Sequence, residues 1–174
     1  RPKLKTLYTL IIFLLVVLTF LIQGCTTKPA PSDDPLAYQQ RAEGIVKDGL
    51  TVTVAVPTIA EAYAIYGVLL AIKHIQPVWV EVENDTSDTY WLLPSGLDPE
   101  YFPPSEAAFA FRKGSDDARR QLVDKFKKLQ FKNPVRPGST ESGFVLVNLD
   151  EGLKAVDIDL LSRNAVKNFS FIIP

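Results

Sequence analysis

Two pairs of carboxylates are the residues best spaced for chemistry in this 174-residue chain. Glu81 and Glu83 alternate with Val80 and Val82, and Asp157 and Asp159 alternate with Val156, Ile158 and Leu160. Residues i and i+2 of a strand share one face about 7 Å apart. That spacing suits general acid–base work or a shared Ca²⁺. The same alternation is also that of a solvated outer sheet face, and the surrounding residues favour this second reading. The one histidine, His74, has no nucleophile motif beside it and reads as structural or solvent-facing. The motifs G-x-S-x-G, H-E-x-x-H and C-x-x-C and phosphate-cradling glycine loops are absent. A single His and a single Cys nearly exclude zinc. The turn Asn84–Asp88 has the oxygen-rich composition of a calcium loop but lacks its Gly and distal Glu. No catalytic residue, metal ligand or cofactor is assigned, and the protein is not expected to be an enzyme.

The N-terminal quarter is more specific. Basic Arg1, Lys3 and Lys5 precede an apolar run of 16 residues, Leu7–Ile22, followed by Gln23, Gly24 and Cys25. A spanning helix needs about 20 apolar residues and a signal core about 7–15, so length alone leaves both open. A small residue directly before the only Cys resembles the lipobox of a bacterial lipoprotein, cut between Gly24 and Cys25. The resemblance implies fatty acylation (palmitate-type chains) of Cys25, which would anchor the protein in membrane lipid. It also disposes of a thiol that has no internal disulfide partner. Thr26 rather than Asp after the Cys implies the periplasmic side of an outer membrane, if the cell has two membranes. An uncleaved membrane anchor is the alternative.

The expected organisation is therefore a signal peptide over 1–24, a lipidated Cys with a Pro-rich tether and lead-in over 25–49, and a folded domain over 50–174. Removing residues 1–24 takes away three of 19 basic residues, leaving 16 against 20 acidic ones, a net charge of about −4. The mature length suits one domain, and its mild acidity argues against nucleic acid as a partner. With no Met at the start and Pro174 directly after an apolar run, the native chain is expected to extend at both ends.

Most elements beyond the tether read as strands. Val52, Val54 and Val56 alternate with Thr51, Thr53 and Ala55 over Leu50–Val56. Thr58 and Glu61 have capping-box spacing for a helix over 59–66 that ends near Gly67. A second strand is possible over 67–75. Val78–Asn84 is the clearest strand, and Thr89–Leu93 is expected to return as its hairpin partner. A long loop over 93–104 follows, then a short helix over 105–112. A longer helix is capped by Ser115, with Ala118, Leu122, Phe126 and Leu129 as its buried stripe. Three strand-like runs, 143–149, 153–161 and 166–173, close the chain. The pattern predicts a mainly β protein, an immunoglobulin-like antiparallel β-sandwich with two or three inserted helices.

Two surface features invite binding. Arg119, Arg120, Lys125, Lys127 and Lys128 surround one helix and suit anionic headgroups as well as plain solvent. Trp91, Asp98, Tyr101 and Phe102 lie in or beside a proline-rich loop that could form a recognition surface. With Glu81, Glu83, Asp157 and Asp159 they make the candidate binding set. The runs 75–84, 91–102, 133–139 and 143–160 resemble an uncharacterised bacterial envelope domain found upstream of LssY-type C-terminal regions. That resemblance implies a domain layout and no catalytic residues. The expected role is a membrane-anchored extracytoplasmic module for binding or assembly, with an envelope protein as possible partner. The alternatives are a structural stalk, or an accessory domain of a larger envelope protein or enzyme acting on lipid or glycan.

Overall fold

A computed structural model describes residues 37–111, 114–150 and 152–173. Residues 1–36, on which the expected signal peptide, Cys25 and Pro-rich tether fall, lie outside the described residues.

The described residues begin at Ala37, within the stretch 25–49 expected as tether and lead-in. A 3₁₀ turn, Ala37–Arg41, leads into β1 (Glu43–Lys47), which pairs with β2 (Leu50–Ala55) across the two-residue turn Asp48-Gly49. Both turn residues have positive φ, 53° and 77°, as a tight hairpin matched to the twist of its strands requires. Helix α1 (Ile59–Tyr66) starts with the expected capping box: Thr58 Oγ1 accepts from the Glu61 N–H, and the Glu61 carboxylate accepts from the Thr58 N–H. Gly67, in the left-handed region, ends it. The stretch to residue 75 is a 3₁₀ turn, Leu70–Lys73, rather than a strand.

Strand β3 (Ile75–Asn84) is central. Next come β4 (Trp91–Leu93), the single-turn helix α2 (Pro94–Leu97), α3 (Pro104–Phe109) and α4 (Asp116–Leu129). The chain closes with β5 (Ser139–Asn148), β6 (Lys154–Leu161) and β7 (Val166–Ile173). All ladders between strands are antiparallel, in two sheets ordered β1-β2-β3-β5 and β4-β6-β7. The protein is thus mainly β. Four α-helices stand among the described residues, where two or three were expected.

The expected hairpin between Val78–Asn84 and Thr89–Leu93 does not form. One side of β3 is taken by β2, and the other by the ten-residue ladder with β5. The buried Asn84 side chain folds the turn onto itself, donating to Asp88 O and Val135 O and accepting from both Thr86 N and Thr86 Oγ1. Tyr90 then exchanges backbone bonds with Val135, and Asn133 clamps Leu92. These partners carry residues 91–93 across to the other sheet, where they pair with β6.

Two cores result. The sheets share the first: Val52, Val54, Val78, Val80 and Val82 meet Val156, Ile158, Leu160, Phe169 and Phe171. The second lies on the outer face of the four-stranded sheet, where Trp79, Phe144 and Leu146 pack under Tyr38, Tyr66 and Phe126. Its rings meet edge to face, Tyr66–Phe126 at 4.7 Å and Tyr38–Trp79 at 5.8 Å between centroids. Helices α1, α3 and α4 therefore form a layer on the four-stranded sheet. Gly143 allows the chain leaving α4 to run against β5: a Cβ there would lie 2.5 Å from Phe131 N, inside the bridge between Gln130 and Phe144.

Candidate binding surfaces

The two carboxylate pairs sit on opposite outer faces of the paired sheets. Val80 and Val82 point into the shared core, so Glu81 and Glu83 emerge on the outer side of the four-stranded sheet, beyond its helical cover. Their ladder neighbours are Thr51, Thr53, Thr140 and Ser142, which makes a polar solvated strip. Val156 and Ile158 likewise point inward, and Asp157 and Asp159 emerge on the outer side of the three-stranded sheet. The whole shared core separates the pairs, so these four carboxylates cannot converge on one reacting atom.

Asp157 and Asp159 do join another residue singled out in the sequence. Trp91 lies opposite Leu161, and Leu161 opposite Val166, so the three form one cross-strand row on that outer face. They are 43%, 38% and 56% exposed. Next to the row, Asn168 Nδ2 donates to Asp159 at 3.0 Å, and beyond it Ser170 Oγ donates to Asp157 at 2.5 Å. Helix α2 borders this face, with Gly96 set so close over Asp159 that a Cβ would lie 2.7 Å from Oδ2. The surface is an aromatic and aliphatic strip beside hydrogen-bonded polar groups, suited to holding a partner by stacking and polar contacts together.

The remaining loop residues serve the fold. Asp98 accepts from Asn148 N and Glu100 N, at 2.9 Å each, and so ties the loop to the end of β5. Phe102 bridges to Leu146 and packs against the second core. Only Tyr101 stays on the surface, 38% exposed. His74 is exposed in the left-handed region, and its carbonyl accepts from Leu149 N. No cluster of three metal-ligating side chains exists among the described residues. Gly24 and Cys25 lie outside them.

The basic helix singled out in the sequence borders grooves that were not anticipated. The expected buried stripe of α4 is buried only at Phe126; Leu122 and Leu129 are half-buried and Ala118 is exposed. Residues 116–121 of α4 are exposed, and Leu122 and Val123 pack against the second core while staying half-buried. Two adjoining open grooves, of about 480 and 640 Å³, meet at Phe109, Phe111, Ala118 and Leu122. One runs towards Leu69, Ile72 and Lys73, the other towards Arg119, Arg120 and Lys127. The sequence signal for them was available: α4 has a strongly polar composition around a narrow stripe, and Ala118 is too small to demand cover.

Buried charge is confined to structural positions. Burial of Glu61 alone would raise its pKa, but hydrogen bonds from Arg41 and Thr58 outweigh this and hold the carboxyl below its usual range. Arg41 meets Glu61 through two bonds of 3.0 and 2.6 Å. Among the exposed groups, Lys167 holds the Asp48 carboxyl low by its hydrogen bond and charge, across the gap between β7 and the β1–β2 turn.

Neither a protein-family model nor a curated protein matches this chain at a significant level.

Proposed function

We propose that this is a lipid-anchored, extracytoplasmic binding or assembly module with an immunoglobulin-like sandwich, held to the membrane through acylated Cys25. The observation that carries the binding role is the exposed Trp91–Leu161–Val166 row beside Asp159–Asn168 and Asp157–Ser170. A row of large apolar side chains left bare on a sheet face, rimmed by polar groups, is the pattern of an interaction site. The hydrogen bonds that Asn168 and Ser170 donate to Asp159 and Asp157 support a polar rim for binding on this face. The lipobox-like order of Gly24 and Cys25 supports the anchor, and the absence of internal cysteine pairing agrees with it.

Two measurements test this. Metabolic labelling with a fatty-acid probe should mark the wild type and lose the signal in Cys25→Ala; label absent from both removes the anchor. A photoreactive residue at position 91 should crosslink a discrete partner in living cells, and Val166→Asp should abolish the product. A chain that yields no crosslink from position 91 would remove the binding role from this face.

A further inference from the structure

We propose that the face built by the Leu70–Lys73 turn, the end of α3 and the exposed half of α4 docks on an anionic phospholipid bilayer. The inference rests on the reading of the chain as membrane-anchored, and adds which side of the body meets the lipid.

Charge is the first argument. The chain as a whole carries a net charge of −1, yet α4 has five basic residues (Arg119, Arg120, Lys125, Lys127, Lys128) against three acidic ones. Arg119 and Arg120 pair with Asp116 and Asp117 of the first turn. Lys73, Lys125, Lys127 and Lys128 have no carboxylate partner among the described residues. The opposite outer face carries Asp157 and Asp159, whereas Glu81 and Glu83 share the α4 side of the four-stranded sheet but lie beyond its helical cover.

Apolar exposure is the second. Leu69, Ile72 and Phe109 are 39%, 62% and 52% exposed and border the grooves that Lys73 and Lys127 line. Bulky apolar groups that enter the headgroup layer, combined with cations at its surface, are the two signals that hold a peripheral surface on a bilayer. Reach is the third. Eleven residues lie between Cys25 and Ala37, twelve steps of chain, so the body cannot stray further than about 43 Å from the lipid anchor. A weak surface attraction then acts at high effective concentration. In this orientation the Trp91 face points away from the membrane, open to a partner.

The test uses the full chain reconstituted in vesicles of phosphatidylcholine alone or mixed with phosphatidylglycerol, read by amide hydrogen exchange. Exchange over residues 69–73 and 104–129 should be roughly tenfold slower on the anionic vesicles. High salt should remove the difference, and so should Lys73→Glu combined with Lys127→Glu. Equal exchange on both vesicle types overturns the inference even if the double variant misfolds. Protection that follows protein density rather than lipid composition also overturns it and assigns the face to a second copy of the chain. Failure of the anchor reading looks different: Cys25 would carry no label and the chain would not stay with the vesicles. An attached chain whose exchange ignores headgroup charge sinks this inference alone.

Discussion

The two outer faces of the paired sheets start from the same alternation and end differently. On the four-stranded sheet, Trp79, Phe144 and Leu146 are covered by Tyr38, Tyr66 and Phe126, so a second core forms. On the three-stranded sheet, Trp91, Leu161 and Val166 stand exposed in a row, with no second core over them among the described residues. Large apolar side chains at matching positions are thus structural on one side and available on the other. What separates them is the helical layer. Its sequence supplies a capped α1 and an α4 whose Phe126 reaches the sheet, while the far face receives only the one-turn α2 at its border.

Substitutions on the covered face should therefore cost stability, and those on the bare face should not. Phe126→Ala should lower the unfolding free energy by about 3–5 kcal/mol, seen as an earlier midpoint in urea. A loss below about 1 kcal/mol would mean that the helices rest loosely on the sheet. Gly143→Ala should cost about 1–3 kcal/mol or more, because its methyl would press on the Phe131 backbone. A melting temperature equal to wild type would show that the chain after α4 can move aside.

Glu61→Gln should cost about 1–3 kcal/mol near neutral pH, since Gln keeps the shape but loses the charge that Arg41 faces. The folded-state pKa of Glu61 lies below its unfolded value of about 4.5. Its contribution is therefore complete above that value and fades as pH falls through the folded pKa. Wild-type and variant stabilities should converge in acid; a gap that persists there would assign the effect to packing. Smallest of all, Trp91→Ala and Leu161→Asp should each shift stability by less than about 0.5–1 kcal/mol while removing the crosslinked partner. Unfolding of either variant at moderate urea would make the row part of the core after all.

Local patterns carried much of this in readable form. Thr58 and Glu61 with Gly67 marked α1 to the residue, and the alternation of Val80, Val82, Val156 and Ile158 marked the shared core. Residues 78–84 were legible as a strand, while Ile75–Pro77 were not joined to it; Val78–Val80 are buried on both faces and Glu81 and Glu83 appear where helical cover stops. Strand β1 was passed over although Asp48-Gly49 is a strong hairpin turn; its own residues are mostly exposed and carry little periodic signal. The partner of β3 was misjudged for a physical reason. Proximity in sequence favoured residues 89–93, whereas the ten-pair ladder with β5 depends on residues 55 or more positions away. The site behaved similarly: Trp91, Asp157 and Asp159 were each visible, but their shared face follows from register, which no single segment contains.

The β3–β5 ladder has a consequence for how the chain comes into being. It joins Asn84 to Ser139 and Ile75 to Asn148, enclosing β4 and helices α2 to α4 in one long loop. Loops of this span make folding slow, since the ends must meet before any pair is formed. During synthesis residues 75–84 emerge well before 139–148. Until the later segment arrives, β3 has β2 on one side and an open apolar edge on the other, the kind of edge that recruits neighbouring chains. The nascent chain is thus most exposed to misassociation in the interval between those two segments, and it is there that a chaperone would have the most to protect.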